Sequence, residues 1–470
     1  MSTLGVRLTR SQFLIGSLGA IGAGTLLTAP LLAGEQGALD RYVAAHDPAY
    51  RFRLVSTPLG EGHTAYVLEM ISQRWRSAGE VDRTEWHHWL TIVVPPLVTT
   101  RVAALVISGG SNGDDPPRHV SSFLVRLARQ IQGVVAELRM VPNQPLRFAG
   151  EEKERGEDEL IAYTWDKFLR TDDELWPLRL PMTKSAVRAM DTISAFCADV
   201  PGVAVDRFIV GGASKRGWTA WTTAAADRRV VAVVPVVVDT LNVEESAEHA
   251  YRVYGSWPPA LRAYQELGIM RWIGTPRMEA LMRIEDPYAY RERLTMPKFI
   301  VNSAGDEFFV PDSSRYYFGA LPGEKYLRYV PNTDHSLKGQ DAAAADDVLA
   351  FCRAVIDDAK LPRFSWGLDA DGAIVVRSEA PPSRVTFWHA ANGEARDFRF
   401  ASIGKAFKGT PLRDQGNGTY VGMAGSPRHG WIASFVELEY PTAEGRRVRM
   451  TTEVSVTPDV LPFQLPVQGA

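Results

Sequence analysis

Short, unbroken runs of branched aliphatic residues punctuate the middle of this chain and most constrain its fold. They are "RVAALVIS" (101–108), "GVVAEL" (133–138), "RFIVGG" (207–212), "VVAVVPVVV" (230–238), "KFIV" (298–301) and "YLRYV" (326–330). A strand with one wet face alternates apolar and polar residues, whereas a run without alternation is buried on both faces, as in a parallel sheet covered by helices. Between the runs lie amphipathic helical segments such as "VSSFLVRLARQI" (120–131), "KSAVRAMDTISAFC" (184–197) and "DDVLAFCRAVI" (346–356). The expected fold class is therefore α/β, a mostly parallel sheet with helices on both faces.

Other segments depart from this rhythm. From about 50 to 100, "AYVLEM" and "HWLTIVVPP" read as alternating strands. Between Asp239 and Pro297, where a doubly wound sheet would pass to its next strand, stands the helical, aromatic "EESAEHAYRVYGSWPPALRAYQELGIM". This insertion, about 240–296, is either a cap over a site or a helical ornament on the sheet edge. After about residue 361 the helices stop, and in "WIASFVELEY" Val436, Leu438 and Tyr440 alternate with Glu437 and Glu439, which suits a small β-sandwich. The expected domains are an α/β unit over 34–360 and a β-sandwich-like unit over 361–470.

The N-terminus is of another kind. Arg7 and Arg10 precede an uncharged, Gly- and Ala-rich apolar stretch that ends in small residues, the pattern of an export signal over 1–33 with cleavage near Ala33. "LTRSQFLIG" resembles a twin-arginine signal with Ser11 in place of the second Arg, so a periplasmic or secreted protein is expected, touching a membrane only through an uncleaved signal. With a net charge of −3 and no basic run, the chain lacks the electrostatic footprint of nucleic-acid binding. Its two cysteines, Cys197 and Cys352, sit in apolar stripes and read as buried thiols, although an export compartment would permit their pairing.

The chemistry centres on "GGASKRGW" (211–218), which places Ser214 at the turn between an apolar strand and an Ala-rich helix, the position of a nucleophile elbow. A serine hydroxyl needs a base to take its proton, and the base needs a carboxylate to fix its tautomer. Asp306 follows "PKFIVNSAG" and His335 follows "EKYLRYVPNTD", each just past the carboxyl end of a strand, where catalytic groups gather in open α/β sheets. The order Ser214, Asp306, His335 is that of the α/β-hydrolase fold.

The turn departs from G-x-S-x-G because Lys215 and Arg216 intervene before Gly217, a glycine already inside the helix and suited to packing. Its oxyanion donors would be the amide of Lys215 and, from "GGSNGDDPP", those of Gly110 and Ser111. Lys215 and Arg216 either rim the site with positive charge or pair with local acids. Asp239 ranks behind Asp306 as triad acid, and it stands with Glu137 and Arg139 as a weaker substrate-binding candidate, the latter two being alternatively an ion pair at the sheet edge. His87 and His88, adjacent on a strand, point to opposite faces and do not suit a shared metal, and "DADG" (369–372) lacks the rest of a calcium loop. No metal or organic cofactor is expected.

Longer stretches carry a resemblance. "DPAYRFRLVSTPLGEGHTAYVLEMISQRW", "VDRTEWHHWLTIVVP", "VVAELRMVPNQPL", "EDELIAYTWDKFL", "WPLRLPMTKSAVRAMD" and "GGASKRGWTAW" resemble the PhoPQ-activated pathogenicity-related protein family, from about residue 40 to at least 340. The resemblance implies an exported α/β-hydrolase-like protein, similar in general fold to prolyl oligopeptidases and dipeptidyl peptidases, with its serine in "GASKRG". It extends to secreted eukaryotic proliferation repressors and fixes no substrate. The same turn is similar to the G-C-S-R-x-G turn of glucuronoyl and acetyl-xylan esterases. The expectation is a serine hydrolase acting on a small ester or peptide substrate, and the alternative is a noncatalytic secreted binding or signalling protein on the same scaffold.

Overall fold

A computed structural model describes residues 37–466 apart from Leu59, Ala370, Ser426, Ala443 and Glu444; the expected export segment lies outside the described residues. The chain opens with α1 (Ala38–Ala44) and three antiparallel strands, β1 (Arg51–Ser56), β2 (Thr64–Arg74) and β3 (Glu85–Val94). Next come β4 (Val102–Ile107), α2 (Ser122–Ile131), β5 (Val135–Leu138), a ribbon of β6 (Leu146–Arg147) and β7 (Glu154–Arg155), α3 (Glu157–Thr171), α4 (Arg179–Ala198), β8 (Arg207–Ala213), α5 (Lys215–Ala226) and β9 (Val230–Val236). The helical insertion carries α6 (Val243–Tyr254), α7 (Arg262–Glu266) and α8 (Pro276–Glu285) before β10 (Lys298–Ser303), β11 (Lys325–Val330) and α9 (Asp341–Ile356). The strands from β5 through β4, β8, β9 and β10 to β11 are parallel neighbours, as the unbroken aliphatic runs predict.

The burial explains the runs. Leu105, Val210, Val233 and Ile300 pack with Val187, Met190 and Ile193 of α4 on one side of the sheet. Ala104, Ile209, Val234 and Val301 pack with Leu127 of α2 and Leu349 and Phe351 of α9 on the other. Successive residues of each strand thus serve opposite cores, which is why the runs do not alternate between apolar and polar. Cys197 belongs to the first core and Cys352 to the second; both are free, and burial pushes each thiol up to about 12.

Beyond α9 lie β12 (Phe364–Leu368), β13 (Ile374–Ser378), β14 (Arg384–Asn392), the single turn α10 (Phe400–Ile403), β15 (Lys408–Pro411), β16 (Thr419–Gly422), β17 (Trp431–Pro441), β18 (Arg447–Thr451) and β19 (Ser455–Thr457). Strands β12, β13 and β16 form a small sheet whose Ile374, Val376 and Tyr420 pack with Val385, Phe387, Val436 and Leu438. That is a sandwich-like layer. Its other leaf, however, continues the central sheet: β18 pairs with β11 through Leu327 and Thr451, and β17, β14 and β15 follow. An exposed parallel edge at β11 would be a template for association, and β18 covers it. Buried Arg328 of β11 fastens the junction, pairing with Asp347 of α9 (2.9 Å) and Glu437 of β17 (2.6 Å). Among the described residues no helix is long and apolar enough to cross a membrane.

Candidate active site

Ser214 sits between β8 and α5 with φ +55° and ψ −127°, a conformation rare for a residue with a side chain. Two glycines make the turn possible. A Cβ on Gly212 would lie 2.7 Å from the backbone of Arg216, and one on Gly217 would lie 2.7 Å from the Gly212 carbonyl oxygen. Strand and helix therefore meet backbone to backbone, and Gly217 serves packing although it stands one position later than in G-x-S-x-G. The amide of Lys215 opens α5, where helix N–H groups have no partner inside the helix and the dipole favours negative charge.

Asp306 and His335 are brought together at the same sheet edge, Asp306 Oδ2 lying 2.8 Å from His335 Nδ1. Asp306 Oδ1 accepts the amide of Phe308 (2.8 Å), so both carboxyl oxygens are held. The loops carrying the two residues are locked to each other. Ser303 Oγ donates to the Thr333 carbonyl (2.8 Å), and a Cβ on Gly305 would meet that oxygen at 2.5 Å. Burial pushes the Asp306 carboxyl upward, against the stabilising contacts of His335 and the Phe308 amide. The His335 ring rests on Phe308 and Phe309, at centroid distances of 4.5 and 5.9 Å.

Ser214 and Lys215 line a cavity of about 120 Å³ with Phe308 and Phe309. The helical insertion roofs it through Tyr264, Met270, Ile273, Met278 and Met282, so the cap, not the ornament, is what the fold builds. The lining is overwhelmingly apolar and includes Trp165 and Trp218. Buried Arg179 joins this roof to the elbow: its guanidinium pairs with Glu285 of α8 (3.3 Å) and donates to the Lys215 carbonyl (2.8 Å).

The remaining candidates separate. Lys215 and Arg216 do not rim the site with free charge. They pair with Glu157 at 2.7 Å each, Lys215 also faces Asp158 (3.4 Å), and Arg216 donates to the Val141 carbonyl. Burial opposes the charge on Glu157, yet these two cations hold its carboxyl well below the usual range. Gln144 extends the brace to the loop after β4, linking Glu157 to the Gly110 carbonyl. On that loop Gly110 has φ +143°, while the Ser111 amide is already committed to Asp114 (2.9 Å), which counts against Ser111 as an oxyanion donor. Asp239 does line the cavity, but its two oxygens accept from Tyr317 (2.6 Å) and Tyr329 (2.5 Å), and His335 pairs with Asp306 instead. Burial pushes Asp239 up to about 7 despite those hydroxyls. Glu137 accepts from Ser108 (2.8 Å), the Arg139 carbonyl faces His88, and neither residue lines the cavity. His87 turns to Glu69 and His88 to Ser72, on opposite faces. Among the described residues no group of His, Cys, Asp and Glu converges as a metal site.

Sequence inspection missed the aromatic flank of His335 and the Arg179–Glu285 tie. The first was visible, since "EFFV" follows Asp306 directly; the second joins residues 106 apart and left no local signal.

An elbow serine, a sheet whose parallel core carries the Ser, Asp, His order, and a helical cap define a protein of the α/β-hydrolase fold. Residues 39–399 match the model of the PhoPQ-activated pathogenicity-related protein family, and the chain belongs to that family. It is 35% identical over 452 residues to autocrine proliferation repressor protein A of Dictyostelium discoideum, covering 90% of this chain and 91% of that one. Among solved structures it is similar to an acetyl xylan esterase from Paenibacillus sp. R4 (TM-score 0.48, 16% identity, 67% of this chain and 92% of that chain). It is also similar to a glucuronoyl esterase from Solibacter usitatus (TM-score 0.40, 14% identity, 68% and 91%).

Proposed function

We propose that this chain is an exported serine hydrolase that cleaves an ester or amide through an acyl-enzyme. The observation that carries the proposal is the strained elbow at Ser214 together with the half-buried His335, paired with buried Asp306, each at the carboxyl end of its own strand. With Nδ1–H donating to Asp306, His335 keeps Nε2 free to accept the Ser214 proton as Oγ attacks the carbonyl carbon. The oxyanion is received by the Lys215 amide, with Gly110 as the second donor. Collapse breaks the bond to the leaving group, which departs with the proton from Nε2. Water, deprotonated by the same nitrogen, then attacks the acyl carbon and releases the acid and Ser214. The apolar cavity supports a hydrophobic rather than a charged group beside the carbonyl. Export rests on the residues of 1–33.

The experiment is mass spectrometry after a fluorophosphonate probe. Labelling at Ser214 that disappears in Ser214→Ala and His335→Ala is expected; a folded wild type left unlabelled across neutral pH overturns the proposal. Ester and peptide cleavage part on substrates: turnover of simple esters without cleavage of free-amine dipeptides removes the peptidase form.

The name of the Dictyostelium relative, a proliferation repressor, favours a second reading, a secreted regulator that uses the scaffold for binding alone. Under it, Ser214→Ala keeps the biological effect; under the first it abolishes it.

A further inference from the structure

A second cavity reaches the same sheet edge. It measures about 240 Å³ and lies between α2 and α9, on the face opposite α4. Gly211 and Gly212 are part of its floor, and Phe123, Ala345, Val348 and Cys352 are among its walls. It is nearly all apolar, and unfilled apolar space forfeits contacts that an apolar group would restore. The position is the informative feature. Ala213 of the lining precedes Ser214, while Ser336 and Leu337 of the lining follow His335 directly. The His335 ring itself is flanked by Phe308 and Phe309, which line the cavity under the cap. The residues that flank the His335 ring thus line one apolar space, and the residues that follow it in the chain line the other.

A scissile carbonyl has two sides, and the proposed chemistry tells them apart. Ser214 and Lys215, to which the proposed mechanism gives the acyl carbon and the oxyanion, line the cap cavity. The leaving atom must take its proton from His335 and so departs on the His335 side. We propose that the α2–α9 cavity receives the leaving-group half of the substrate, so that the natural substrate is an ester or amide with an apolar group on each side of the scissile bond. This rests on the serine-hydrolase reading. Binding energy from an arm remote from the carbonyl can then be spent on positioning the bond, which raises kcat/KM for substrates that carry it.

The test is a grid of methyl, butyl and octyl esters, each with acetyl and butyryl groups, assayed by acid release. In the wild type, kcat/KM is expected to rise about tenfold or more from methyl to octyl alcohol at a fixed acyl group. Ala345→Phe, whose ring projects into the second cavity, should collapse that ratio by about tenfold while the preference between acetyl and butyryl persists. Phe123→Ala, which widens the mouth, provides an independent variant and should raise the ratio for bulkier alcohols. Fluorophosphonate labelling of Ser214 is read on every variant. A labelled wild type indifferent to alcohol length overturns the inference, as does an Ala345→Phe variant that loses all esters alike. An unlabelled wild type overturns the serine-hydrolase reading and this inference with it.

Discussion

His335 Nδ1 faces Asp306 Oδ2 at 2.8 Å, and the second oxygen of that carboxylate is anchored by the Phe308 amide. The aspartate is thus fixed before it fixes the histidine. Replacing it by Asn presents an N–H or a neutral oxygen to Nδ1 and allows the wrong tautomer, with the proton on Nε2. Asp306→Asn is expected to lower the rate of Ser214 labelling and of ester turnover by ~10³ to 10⁴, with unchanged circular dichroism. A loss under about tenfold would remove Asp306 from the proposed triad.

The elbow depends on contact without side chains. Because a Cβ on Gly217 would meet the Gly212 carbonyl oxygen at 2.7 Å, Gly217→Ala must push α5 off β8. The expected cost is about 1–3 kcal/mol of stability, accompanied by loss of probe labelling as Ser214 moves. Denaturant unfolding and labelling on the same sample check both; unchanged values in the two assays would contradict the close approach.

Arg179 and Glu285 are both fully buried and tie the elbow to the cap. Removing one charge strands the other in a low-dielectric interior, so Glu285→Gln is expected to destabilise the protein by about 3–5 kcal/mol. Arg179→Met combined with Glu285→Met should recover much of that loss, because two apolar chains leave no unpaired charge. Urea denaturation of the wild type and the two variants reads the loss and its recovery.

Asp239 gives a pH signature. Its folded-state value is raised from 3.8 to about 7 by burial, so the folded state holds a proton that the unfolded chain has released. The sign follows: stability contributed by this group is present below about pH 4 and is lost as pH rises toward 7. Asp239→Asn has no such proton, so wild-type stability relative to the variant should fall across that window. Thermal melts of the pair at pH 4, 5, 6 and 7 test this; a difference that is flat or rises with pH would contradict it.

The sequence carried the parallel core because Val and Ile runs cannot be satisfied by any strand with a wet face. The order of Ser214, Asp306 and His335 was legible too, since each follows its own strand and strand ends share one edge. The insertion was legible as helical, but not its role. Only the packing of Met278, Met282 and Tyr264 over Ser214 made it a roof. Glu137 and Arg139 looked equally apt in sequence because they also end a strand, yet they lie away from the cavity.

What the sequence determined by itself was local and periodic: the strands, the helices, the elbow and the alternating face of β17. Tertiary structure decided which partners those elements found. It committed the Ser111 amide to Asp114, Lys215 and Arg216 to Glu157, and Asp239 to Tyr317 and Tyr329. It also joined the C-terminal strands to the central sheet through Leu327 and Thr451. The physical reason is common to these cases. A buried charge or an open strand edge must be satisfied, but any of several partners distant in sequence can satisfy it, and only the packed chain selects one.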